Sequence, residues 1–110
     1  MTDIRFLNCN IVVPKNKQGM EDYEYCLETE NVMNIDFPSE EVACFYENDF
    51  DGYLNLTFGM FIGECEPDVV PNAHLKDFKA FIEPYKDKMP VFYNALCLAI
   101  EYDTELGIEI

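Results

Sequence analysis

The pattern of apolar and polar residues predicts β-strands in the first half of the chain. Residues 3–13 end in a β-branched run that is stopped by Pro14, which predicts a first strand. Residues 22–27 alternate between large apolar or aromatic side chains and acidic or small ones, the period of two expected of a half-buried strand. Residues 31–37 form a third, shorter candidate. These segments are typical of an antiparallel sheet.

A hairpin is predicted further along. The pair Asp51-Gly52 lies between two aromatic, β-prone runs, residues 42–46 and 53–62, and an Asp-Gly pair in that position is a strong signal for a tight turn. One alternative stays open here. Residues 39–41 are a Ser followed by two Glu, which favours the start of a short helix over residues 42–46.

The period becomes helical after residue 71. Asn72 is placed to cap a helix whose apolar side chains, from Leu75 to Tyr85, recur along one face. Pro84 is expected to kink or end this helix. Residues 90–102 fit a second helix slightly better than a fully buried strand, and both readings remain open.

Together these patterns predict an α+β fold. We expect an antiparallel sheet of about four or five strands over residues 3–62, then one or two helices over residues 72–102, with a short C-terminal strand over residues 107–110 as an option. Residues 63–71 are predicted to be the loop between the two parts. A chain of 110 residues with 49% apolar side chains suits a single domain, residues 1–110, with one core.

The net charge says more about the function of this protein than any sequence motif does. The formal net charge is −15, and fourteen carboxylates but no basic side chain lie between Lys17 and Lys76. Such uncompensated charges repel one another and destabilise the compact state, so they indicate a positively charged partner. Direct binding to nucleic acid or to an anionic membrane surface is disfavoured, because both depend on Lys and Arg.

Cysteine usage indicates a reducing compartment. The five cysteines are an odd number and include no close pair of the kind found in zinc or redox sites, so we expect free thiols, most of them packed as small apolar side chains. The N-terminal residues lack the pattern of a signal peptide, and no run is long enough for a membrane-spanning helix. We therefore expect a cytoplasmic protein.

Catalytic and metal-binding patterns are weak. Residues 47–55 resemble the first nine positions of an EF-hand calcium loop, but the twelfth position is Phe58 where the ion needs a bidentate Glu, so a turn that faces solvent or a partner is the preferred interpretation. His74 is the only histidine, and no local signature supports a catalytic role for it. We predict no catalytic residue, metal or cofactor, and no enzymatic activity.

Tyrosines among the carboxylates suggest a binding surface instead. Tyrosine is favoured at interface hot spots, and neighbouring acids would complement a basic cleft. The alternative is that the tyrosines are half-buried strand residues and the acids a solvated face. The predicted partner-binding residues are Tyr23, Tyr25, Glu47, Asp49, Asp51, Tyr53, Glu64, Glu66 and Asp68.

In size, acidity and lack of catalytic motifs the chain resembles bacterial immunity proteins that neutralise nuclease toxins. The resemblance implies a protein inhibitor that covers the basic active site of a nucleic-acid-processing protein. One alternative is a DNA mimic from a phage or mobile element, directed against restriction or CRISPR machinery. Another is a small acidic metal-binding module or enzyme built on Asp49 and Asp51. The inhibitor is the leading hypothesis.

Overall fold

A four-stranded antiparallel sheet organises the protein. The structure is a computed structural model that describes residues 9–59 and 68–109. The strands are β1 (Asn10–Pro14), β2 (Val32–Asp36), β3 (Asp68–Val70) and β4 (Leu106–Glu109), in the spatial order β2-β1-β4-β3. The helices are α1 (Lys17–Glu24), α2 (Ser39–Glu47), α3 (Phe50–Phe58), α4 (Asn72–Ile82) and α5 (Pro90–Glu101), with a 3-10 turn at Glu83–Tyr85.

The two faces of the sheet differ. The inner face, which includes Ile11, Val13 and Ile108, packs against helices α2 to α5 and forms the core with their apolar side chains. Aromatic rings supply much of the contact: Phe92 of α5 stacks on Phe37 with ring centroids 5.3 Å apart. The outer face is covered in part by α1, which packs against β1 and β2. The uncovered part of that face becomes important below.

The predicted α+β class is confirmed, and so are several of its elements. The strand that ends at Pro14, the strand near residues 31–37, both helices after residue 71 and the C-terminal strand are all present. The strand alternative for residues 90–102 was wrong. Residues 3–8 and 60–62 of the predicted strands lie outside the described residues.

The predicted strand over residues 22–27 is wrong, because residues 17–24 form α1. Asn16 begins this helix by accepting a hydrogen bond from the Gly19 amide at 2.8 Å. Cys26 ends it in the left-handed conformation, with φ of 59°. The burial is also opposite to the prediction: Asp22 is buried, whereas Tyr25 and Leu27, which follow the helix, are 68% and 53% exposed.

The predicted hairpin is wrong as well. Residues 39–58 form two consecutive helices, α2 and α3, so the helical alternative for residues 42–46 was the right one. The helices meet at Asp49, whose φ of 58° turns the chain between them. Phe45, Phe50 and Leu54 are all fully buried in the core, and this burial overrides the β-preference of the aromatic run.

One of the four strands, β3, was not predicted, and β4 matches the optional C-terminal strand. β3 lies within the predicted loop over residues 63–71 and pairs with β4, Val69 opposite Gly107. Asn72 is the first residue of α4; its side-chain amide donates to the Thr104 carbonyl oxygen at 3.0 Å, and Pro71 occupies the cap position. Over residues 9–59 and 68–109, no helix combines the length and apolar character needed to cross a bilayer.

Candidate functional site: an acidic groove on the outer face of the sheet

The outer face of the sheet forms the floor of a groove beside α1. Val12 pairs with Asn34 on one side and with Gly107 on the other, and Gly107 pairs with Val69. These four residues form a row across all four strands, about 14 Å wide at the usual strand spacing of about 4.8 Å. Val32 lies beside the row. Val12 and Gly107 are buried, so the accessible part of the floor consists of Val32, Asn34 and Val69.

Tyr23 of α1 lies directly over the floor. A methyl group on Gly107 would lie only 2.5 Å from the Tyr23 hydroxyl oxygen, so the absence of a side chain at this position lets the ring approach β4. The hydroxyl donates to Glu109 Oε2 at 2.9 Å. Burial raises the pKa of Tyr23 well above its ordinary value, and the hydrogen bond to Glu109 raises it further. The ring is thus a fixed part of the groove.

The segment after α1 forms one wall, and Asp22 holds it in place. Its carboxylate accepts bonds from the Thr29 hydroxyl at 2.7 Å and from Gln18 Nε2 at 2.8 Å, and its carbonyl oxygen accepts from the Leu27 amide at 2.8 Å. The bonds from Thr29 and Gln18 lower the pKa of Asp22. These bonds hold the backbone at Leu27 and the side chain of Thr29, and the exposed Tyr25 and Leu27 side chains form the rim of the groove.

The groove has a volume of about 1040 Å³ and is lined by acids. Its carboxylates are Glu21, Glu24, Glu28, Glu105 and Glu109.

Among the described residues that line it, none is Lys or Arg. Burial raises the pKa of Glu105, and the negative charge of Glu24 raises it further. Glu24 and Glu105 therefore repel each other across the groove. A cation placed between them would remove that repulsion.

The structure brings Tyr23 and Tyr25 of the predicted binding residues into this groove. A second group, Glu47, Asp49 and Asp51, lies at the junction of α2 and α3 on the opposite side of the sheet. Tyr53 belongs to that helical layer, where its ring stacks on Phe81 with centroids 3.6 Å apart. The predicted residues thus form two separate surfaces.

Of the three remaining predicted residues, only Asp68 lies in the part of the chain that the structure describes. Asp68 begins β3, and its carboxylate accepts a bond from the Val69 amide at 2.8 Å. Glu64 and Glu66 lie outside the described residues. A role for any of these three in partner binding stays a prediction.

Glu41 has a structural role, although it is one of the fourteen carboxylates between Lys17 and Lys76, the stretch without Lys or Arg that we call the base-free span. It is 3% exposed, and its two oxygens accept bonds from the Val91 and Phe92 amides at 3.1 and 2.9 Å. These amides belong to the first turn of α5, where helices present unpaired N–H groups and favour negative charge. Glu41 therefore caps α5 from another helix.

The residues of the calcium-loop resemblance and His74 occupy ordinary structural positions. Residues 50–58 of the calcium-loop resemblance are helical, so the twelve-residue loop is not formed, and within residues 9–59 and 68–109 no group of three His, Cys, Asp or Glu side chains could hold a metal ion. His74 stacks on Phe58 with ring centroids 4.2 Å apart.

The cysteines are only partly packed as expected. Cys9 and Cys44 are buried and Cys97 is partly buried, but Cys26 is exposed at the end of α1. Cys26, Cys44 and Cys97 are free thiols. Cys65 lies outside the described residues.

The predicted binding residues include none of the five groove acids. Glu24 and Glu28 belong to a run of five acids between residues 21 and 30, and that density is a signal that could have identified them. Glu105 and Glu109 carry no such signal. They join the groove only because β4 pairs with β1 and β3 in the middle of the sheet.

The chain matches no protein-family model, no curated protein and no solved structure. The candidate site therefore rests on geometry and charge.

Proposed function

We propose that this protein is a cytoplasmic inhibitor that binds a positively charged protein partner in the acidic groove. The observation that carries the proposal is the groove itself: a partly apolar floor, five carboxylates and no Lys or Arg among the described lining residues. Exposed acids alone would be a solvated face. Acids around a concave, partly apolar surface are arranged for contact with another molecule.

The rim residues support a protein partner. Tyr25 and Leu27 are large apolar side chains that stay exposed although the backbone beside them is held by Asp22. Exposed aromatic and aliphatic groups on an ordered backbone serve as anchors in interfaces, because less conformational entropy is lost when they bind. Close charge pairs around them are worth about 1.5 to 7 kcal/mol of coupling where the geometry is good.

A nucleic-acid-processing enzyme is the partner class that this charge suits best. Such enzymes line their clefts with Lys and Arg to hold phosphates, and an acidic protein exploits the same lining. The field of the base-free span would also steer association, with rate constants up to about 10⁸ to 10⁹ M⁻¹s⁻¹ at low salt. An immunity protein for a bacterial nuclease toxin is the specific form we propose.

Co-expression tests this function. The product of the gene immediately upstream is expressed in a bacterial host with and without this protein, and growth and DNA integrity are followed. We expect that product to stop growth alone and to be neutralised through a one-to-one complex. The association rate should fall at least about tenfold between about 50 and about 500 mM salt. An upstream product that is harmless, or whose toxicity persists, would contradict the immunity-protein proposal.

The second acidic surface favours one alternative, a DNA mimic. Glu47, Asp49 and Asp51 lie across the sheet from the groove, so carboxylates are spread over two sides of the molecule. A mimic uses such a spread and inhibits several unrelated DNA-binding proteins. Assays against unrelated restriction and CRISPR nucleases distinguish the two functions, because an immunity protein should inhibit its cognate toxin alone.

A further inference from the structure

The groove suits one kind of occupant better than others. Building on the proposed binding of a basic partner, we propose that the groove receives an arginine side chain of that partner, with its guanidinium group between Glu24 and Glu105. The apolar part of the arginine would lie on Val69, which pairs with β4 beside Glu105, and Tyr25 would cover the guanidinium from the rim.

The floor selects a cation with an apolar stem. Val69 and Val32 line the groove and are partly exposed, whereas Val12 is buried at 2% exposure. A small hydrated ion gains nothing from an apolar surface. Arginine and lysine carry three or four methylene groups below a charged tip, and they pack these groups on apolar surfaces while the tip reaches polar ones.

The acids and the ring favour arginine over lysine. Glu24 and Glu105 both line the groove and interact with each other electrostatically. A guanidinium presents several N–H donors in one plane and can bond two carboxylates at once, whereas an ammonium acts as a point charge. The 68% exposed Tyr25 ring adds a face on which a planar cation stacks.

The same arrangement makes binding sensitive to pH in a defined direction. Burial and Glu24 raise the pKa of Glu105, so Glu105 takes up a proton at a higher pH than an ordinary Glu. Its negative charge, and with it the attraction for a cation, is lost as pH falls through that raised value. Arginine binding should therefore be strongest at neutral pH and weaken on acidification earlier than at a site of ordinary carboxylates.

The test uses nona-arginine, nona-lysine and spermine as probes, titrated into the isotopically labelled protein at about 150 mM salt, where weak surface attraction is screened. Backbone amide shifts report the location. We expect nona-arginine to shift residues of α1 and β4 and to bind at least about fivefold more tightly than nona-lysine. The double variant Glu24→Gln/Glu105→Gln should lose this preference. The matched control Glu40→Gln/Asp77→Asn, with the same change in charge at exposed positions of α2 and α4, should keep it.

Several results would overturn the inference. Equal affinity for nona-arginine and nona-lysine, or spermine binding as tight as nona-arginine, would show attraction by charge alone. The arginine inference would then be wrong, while the proposed binding of a basic partner would be unaffected. Shifts confined to α2 and α3, or a control double variant as weak as the groove variant, would place the site elsewhere. The inhibitor proposal is tested independently by the co-expression assay, because that assay uses no peptide.

Discussion

Replacement of Glu41 tests whether a carboxylate of the base-free span holds the fold together. Its two oxygens bond the Val91 and Phe92 amides at the start of α5, and the side chain is 3% exposed. Glu41→Ala removes both acceptors and leaves two amides without partners at the end of a buried helix. Since Pro90 carries no N–H, these two amides are the first that α5 presents.

The magnitude follows from these two bonds. A hydrogen bond to a charged group contributes about 1.5 to 3 kcal/mol, and unpaired buried amides add a desolvation penalty, so we expect Glu41→Ala to lower the free energy of unfolding by about 3 to 5 kcal/mol. Glu41→Gln keeps one acceptor oxygen and should cost about 1 to 2 kcal/mol. Small proteins have only about 5 to 15 kcal/mol in total, so the alanine variant should be close to unfolding.

Urea denaturation followed by far-ultraviolet circular dichroism and tyrosine fluorescence measures the effect. Glu40→Ala is the matched control, because Glu40 is the neighbouring residue on the same helix but is exposed. Its free energy of unfolding should stay within about 0.5 kcal/mol of the wild type. A Glu41→Ala variant as stable as Glu40→Ala would refute the capping role, and Glu41 would then have to be counted among the solvated acids.

Three further changes probe the groove region. Gly107→Ala places a methyl group against the Tyr23 ring and should cost about 1 to 3 kcal/mol, seen as a lower thermal midpoint; an unchanged midpoint would mean that the ring moves freely. Cys26→Gly relieves a left-handed residue with φ of 59° and should raise the free energy of unfolding by about 0.5 to 1 kcal/mol; an unchanged or lower value would contradict the strain at this position. The lowered pKa of Asp22 contributes stability that is present above its unfolded value of about 3.9 and is lost as pH falls through the folded value. Urea midpoints measured on acidification should therefore fall less steeply for Asp22→Asn than for the wild type, and identical slopes would contradict this role.

Sequence patterns predicted the fold where local and tertiary preferences agree. Leu75, Phe78 and Ile82 recur at helical spacing, and all three are buried on one face of α4. The predictions failed where the local preferences of the residues conflict with their tertiary packing. Phe50 and Leu54 are four residues apart, which a helix brings to one face, but the aromatic run and the Asp-Gly pair around them have strand and turn preferences. Packing against the core decided the outcome.

The groove could be predicted only in part. The acids after residue 20 are visible as a local run, and Tyr23 and Tyr25 stand out among them. The opposite side of the groove depends on β4, a strand at the other end of the chain that pairs with β1 and β3. Only this pairing brings Glu105 near Glu24, and no local pattern encodes it.

The central claim is that a basic partner binds in the groove under α1. The most direct test compares two double charge reversals of equal charge change, Glu24→Lys/Glu28→Lys in the groove and Glu40→Lys/Glu47→Lys on α2, by measuring the affinity and association rate for the toxin found in the co-expression assay. We predict that the groove pair weakens binding at least about a hundredfold and slows association, while the α2 pair changes affinity less than about threefold. Equal losses for both pairs, or a larger loss for the α2 pair, would contradict the claim.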